Sequence, residues 1–217
     1  MTISTVSRSV LSLVAGLALF FPIIYPLIEG DIVNAATASD NVIVTLNVTA
    51  GISITSPSDV SMSQNLGVSA DTAVGSAVWN VKTNNSAGYT LALKATTSPA
   101  LESGSNTIAD YTPAVAATPE TWSVPSGTAE FGFSGFGSHI STGTWGTDSD
   151  CLAGANVPSA GLKYRDFDTS DITLATSAAT TTTTGVDSTV CFAVEQDTFY
   201  APSGTYQATI VATATTL

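Results

Sequence analysis

Five aspartates crowd one stretch of the chain: Asp148 and Asp150, then Asp166, Asp168 and Asp171. Hard carboxylate oxygens in flexible loops suit Ca²⁺, so this cluster is the candidate metal site. The spacing is not that of an EF-hand. Counting from Asp166, the glycine position is taken by Asp171 and the closing glutamate position by Ser177. Lys163 and Arg165 lie close enough in sequence to neutralise some of this charge. Aromatic side chains form a second set. Trp122 and Trp145 fall in loop-rich segments, and with Tyr89 they are candidates for stacking on sugar rings. Trp79 lies between Val78 and Asn80 in an alternating stretch and reads as core.

Catalysis finds less support. His139 is the single histidine, and Gly132-Phe133-Ser134-Gly135 falls one residue short of a nucleophile elbow. Without an imidazole placed beside a nucleophile, a triad has no base. Glu102, Glu120, Glu130 and Glu195 are scattered, so no pair is set at glycosidase spacing by the sequence. One histidine and two cysteines make a poor zinc set. The expectation is a protein that is not an enzyme.

The elements that must position these residues are strands. Over Asn41–Ala50, Val42, Val44, Leu46 and Val48 fall on one face and Thr45, Asn47 and Thr49 on the other, with Ile43 an exception. Tyr89, Leu91, Leu93 and Ala95 alternate with Thr90 and Lys94, and Tyr206, Ala208, Ile210 and Ala212 with Thr205, Gln207 and Thr209. Val190, Phe192 and Val194 form another such face. Period two with a polar opposite side marks half-buried strands. Weaker candidates are 52–55, 77–83, 130–136, 161–165 and 172–176. Pro- and Gly-containing turns separate them, such as Ser56-Pro57-Ser58-Asp59 and Ala201-Pro202-Ser203-Gly204. No helical periodicity follows residue 40. The predicted fold is all-β: a single antiparallel sandwich of the immunoglobulin or jelly-roll kind, with long loop insertions over residues 97–188. Loops of that length on a rigid scaffold are where binding function would sit.

Composition narrows the classes. The 217 residues carry 17 acids against 5 bases, a net charge of −12, and a pI near 4.1. Nucleic acid is excluded as a partner, because phosphate neutralisation needs Lys and Arg. Residues 1–38 read as an export signal. Arg8 leads an apolar run from Val10 to Ile28, and Ala36-Thr37-Ala38 supplies a small-x-small cleavage site. A retained leader would be a membrane anchor near the lower length limit for a spanning helix. Cleavage after Ala38 leaves a domain of residues 39–217, outside the cytoplasm, with a charge of −11. Cys151 and Cys191, the two cysteines of the chain, then lie in an oxidising compartment and are expected to pair.

Three short stretches carry a resemblance: Val48-Thr49-Ala50-Gly51-Ile52-Ser53-Ile54, Asn85-Ser86-Ala87-Gly88-Tyr89-Thr90-Leu91-Ala92-Leu93, and Ser203-Gly204-Thr205-Tyr206-Gln207-Ala208-Thr209-Ile210. In their order the chain resembles the WxL-type cell-wall surface proteins of Gram-positive bacteria. The first Trp-x-Leu position reads Tyr89-Thr90-Leu91 here, and Val211-Ala212-Thr213 stands at the distal one. The resemblance implies a cell-surface protein that binds wall polymer noncovalently. The expectation is therefore an exported bacterial surface protein engaged in adhesion to a cell-wall polymer or another surface protein. The alternative is a structural subunit of an extracellular filament or surface layer. There the first alternating segment would pair with a neighbour's open sheet edge.

Overall fold

The computed structural model describes residues 39–69 and 71–217, so the expected leader lies outside the described residues. The chain divides into two units, residues 1–47 and 48–217. Of the first, residues 39–47 are described. They form no helix, strand or turn, and every one is exposed. The strand expected over 41–50 is therefore absent. The alternation is present, but a strand exists only when its N–H and C=O groups find a second strand.

The second unit is an antiparallel β-sandwich. Eleven strands are formed: β1 (Ile52–Thr55), β2 (Asp71–Thr83), β3 (Tyr89–Ala95), β4 (Leu101–Ser103), β5 (Asn106–Asp110), β6 (Thr128–Gly137), β7 (Leu152–Gly154), β8 (Val157–Pro158), β9 (Ile172–Ser177), β10 (Val186–Asp197) and β11 (Ile210–Thr216). One short helix, α1 (Thr142–Trp145), follows β6. The large sheet has the order β1-β2-β10-β6-β5-β4, and the small one β11-β3-β9. All neighbours in these two sheets are antiparallel except β5 and β6, which meet in a short parallel pairing. No helix among the described residues is long and apolar enough to cross a membrane.

The core follows from strand parity. In β3 the alternate residues Tyr89, Leu91, Leu93 and Ala95 are all buried. Across the sandwich, Phe133 of β6 pairs in register with Phe192 of β10, and Phe131 with Val194. Phe167, from the chain before β9, stacks on Phe133 at 4.4 Å and on Phe131 at 5.3 Å. Trp79 and Val81 of β2 complete this core. The turn between β2 and β3 closes on Gly88, whose φ of +91° and contact with the Ser177 carbonyl leave no room for a side chain.

The central strands are buried on both faces. Cys191 and Ala193 of β10 point away from the aromatic core, yet both are inaccessible. The cause is a third layer. The chain on either side of β6, residues 111–122 and 151–165, folds back over the outer face of the large sheet and buries Tyr111, Leu162 and Tyr164 against Val74, Cys191 and Ala193. Small residues on the sheet permit this approach. A Cβ on Gly132 would lie 2.7 Å from Tyr111 Cβ and 2.8 Å from the Arg165 carbonyl. The segment 97–188 is thus more ordered than a set of insertions: it supplies β4 to β9, and its remaining chain roofs one face. The stretch 161–165 does not become a strand. It makes isolated bridges at Leu162, Tyr164 and Arg165, each to a different segment, at Gly146, Glu120 and Phe133.

Candidate functional site

Cys151 and Cys191 form a disulfide, with Cα atoms 5.3 Å apart. Cys191 sits mid-strand in β10, opposite Ser134 of β6. Cys151 sits just before β7. The bridge therefore fastens the roof to the sheet.

The stacking aromatics take up inward positions. Tyr89 and Trp145 are buried, at 0% and 3% exposure, so neither offers a ring face to a sugar. Alternation turns Tyr89 inward, where its hydroxyl meets His139 Nδ1 at 3.0 Å. Burial raises the Tyr89 pKa above its ordinary value. Trp145 ends α1 and packs on Phe133. Trp122 is half-buried in the roof. It stacks on Tyr111 at 4.6 Å, meets Tyr164 edge-on at 5.2 Å, and donates its indole N–H to Glu195 Oε2 at 2.6 Å. The three rings do not converge on one surface, and the stacking platform expected from sequence is not formed.

The aspartates do not converge either. Among the described residues no three His, Cys, Asp or Glu side chains come together as a metal would need. Each of the five is engaged locally. Asp148 accepts from the Ser159 hydroxyl, and Asp150 from the Leu152 N–H. Asp166 Oδ1 lies 3.2 Å from Arg165 Nε as an ion pair without hydrogen-bond alignment. Asp168 accepts the Ser170 N–H, which lowers its pKa. Asp171 faces Lys94 at 3.8 Å. These are loop-ordering contacts, and the expected Ca²⁺ arrangement is not built by them.

Sequence reasoning missed a carboxylate group under the roof. Glu130 and Glu195 are direct cross-strand neighbours on the outer face of β6 and β10. Glu120 comes from the roof and accepts from the Tyr111 hydroxyl and the Ala114 N–H. Glu130 is buried and accepts the Thr112 N–H at 3.1 Å. Burial raises its pKa, and the Thr112 N–H opposes that rise. Tyr111 is pushed up to about 12, first by burial and then by the Glu120 charge. Neighbouring carboxyls are the raw material of acid–base chemistry. Here each serves as an acceptor for the roof, and no histidine joins them. Their strand register, invisible before pairing was known, is the signal that links them.

The last feature is an edge. β11 ends the small sheet and pairs with β3 on one side only. Ile210, Ala212, Ala214 and Thr216 are half-buried, whereas their partners Ala95, Leu93, Leu91 and Tyr89 are fully buried. The core thins out at this strand. Ile52 and Ile54 of β1, on the large sheet, are half-buried as well.

Compared with protein-family models, with characterised proteins and with solved structures, the chain finds no match. The likeness to WxL-type proteins therefore rests on the short motifs alone.

Proposed function

We propose that this protein is an exported structural subunit that assembles by strand exchange, with residues 41–48 as the donor strand. One observation carries the reading. Val42, Val44, Leu46 and Val48 alternate with Thr45 and Asn47 and are 76–91% exposed together with Ile43. Contiguous apolar exposure of this kind marks an interaction segment. Its period of two fits one side of a sheet. A donor strand added to another chain satisfies its backbone groups and buries its apolar face in one step. The disulfide supports an oxidising, extracellular setting.

This reading takes precedence over adhesion to wall polymer, because Tyr89 and Trp145 face inward and Trp122 is packed in the roof on Tyr111 and Tyr164. Electron microscopy of the purified exported protein tests it. Regular filaments or lattices are expected, and removal of residues 39–48 should abolish them. A strictly monomeric protein that pellets with peptidoglycan sacculi would instead favour the wall-binding reading.

A further inference from the structure

We infer that the acceptor for this donor strand is the free edge of β11 in a second copy of the chain; the inference rests on the strand-exchange reading. The hydrogen-bond phase of β11 sets the argument. Leu217 N–H donates to the Gly88 carbonyl and Thr96 N–H to the Thr209 carbonyl. Antiparallel ladders alternate, so the odd residues Val211, Thr213 and Thr215 bond to β3. The N–H and C=O groups of Ile210, Ala212, Ala214 and Thr216 then point to the side where no strand is hydrogen-bonded among the described residues, although β1 of the large sheet packs nearby. These same four residues turn their side chains toward the thinning core.

The other edges are short or covered. β4 has three residues and is bridged from Glu102 to Gln207. The outer side of β9 is met by the His139 carbonyl and Ile140. The part of β2 beyond β1 receives Ser63. β1 itself has four residues. β11 runs for seven, Ile-Val-Ala-Thr-Ala-Thr-Thr, with no charge and no proline. Natural edges are usually guarded by such residues, and this one is not.

The two sequences are complementary. The donor alternation from Val42 to Val48 matches β11 in length, and residues 41–50 carry no charge. In the antiparallel sense, Val44 falls opposite Ala214, Leu46 opposite Ala212 and Val48 opposite Ile210. Ala212 and Ala214 are small inward residues, and Val44 and Leu46 supply the larger side chains opposite them. In this register Thr45 and Thr213 face each other on the outer surface as a non-hydrogen-bonded pair, the closer kind.

The test is disulfide trapping in the full exported chain, with Cys151–Cys191 left intact. T45C protein is mixed with T213C protein, or with S53C protein as the β1-edge control, under mild oxidation. A covalent dimer with T213C and little with S53C is expected. In the polymer, A212P should remove the outward N–H while sparing the β3 ladder. It should cut assembly at least tenfold, with the circular dichroism spectrum unchanged. Polymers that cross-link through S53C, or that form with no T213C dimer, would overturn the β11 acceptor and leave strand exchange standing. No polymer and no cross-link would overturn the parent reading. A fast-migrating monomer from the T45C/T213C double variant, with no dimer on mixing, would mean the strand pairs within its own chain and would overturn exchange.

Discussion

Removing the Cys151–Cys191 bridge probes how the roof is held. The bridge spans a sequence separation of 40 residues. Closing such a loop lowers the entropy of the unfolded chain by about 13 cal/mol/K, or roughly 4 kcal/mol at 25 °C. That is a large fraction of the roughly 5–15 kcal/mol that a domain has in total. With a urea slope near 2 kcal/mol/M, the C151A/C191A variant should unfold at a midpoint about 2 M lower. A second readout separates two effects of the bridge. Trp122 lies in the roof against Tyr111 and Tyr164, while Trp79 and Trp145 are in the sandwich core. If the bridge also holds the roof in place, Trp122 fluorescence should change before the far-ultraviolet signal does. A midpoint shift below about 0.5 M would refute the reasoning, since the loop term alone predicts several times that.

Other outcomes follow from single contacts. Gly132→Ala should cost about 1–3 kcal/mol in thermal or urea unfolding, because its Cβ would press on Tyr111 and the Arg165 carbonyl. Tyr89→Phe should cost about 1 kcal/mol by leaving His139 Nδ1 without its partner, measured by the same unfolding curves. The raised pKa of Glu130 fixes a sign: folding favours its protonated form, so its contribution is fully present below its unfolded value and is lost as pH rises through the folded value. Glu130→Gln, which keeps an oxygen for the Thr112 N–H, should flatten that part of the stability–pH curve, as read by thermal melts from acid to neutral pH. Assembly should strengthen between 20 and 200 mM salt. The donor and β11 are uncharged while the subunits repel through their net negative charge; sedimentation across that range checks this.

The fold was legible where side chains alternate against one neighbour layer. The expectation for 52–55 and 89–95 matches β1 and β3 residue for residue. It was weaker where both faces are buried: the expected 130–136 and 77–83 lie within β6 and β2 but fall short of their full lengths. β6 reads Thr-Ala-Glu-Phe-Gly-Phe-Ser-Gly-Phe-Gly, and its outward Gly132 and Ser134 look like loop residues until the roof that requires them is known. The last strand begins at Ile210 rather than Thr205, because Gln207 is diverted to bridge Glu102 on the large sheet. The site residues were misread for one reason. Trp145 is read from the loop-rich segment around it and Tyr89 from its place at the Trp-x-Leu position, whereas exposure depends on which layer lies above a residue. Glu130 and Glu195 lie 65 positions apart in the chain and meet only through strand register.

The two faces of the sandwich are finished differently, and the difference bears on assembly. The outer face of the large sheet is roofed, bridged by a disulfide and supplied with acceptors for its buried N–H and O–H groups. That cover removes one long surface from association. At the β11 side the inward positions hold alanines, the outward ones threonines and valine, and the edge has no guard. An unguarded edge in a chain otherwise dense with structure is a hazard unless something occupies it. The same chain carries an exposed, uncharged, alternating segment of matching length. Either feature alone would be a liability to solubility. On the strand-exchange reading they would make growth directional, since among the described residues each copy would have a strand to give and an edge to receive. A heterologous contact of that kind extends into a filament unless its rotation closes a ring.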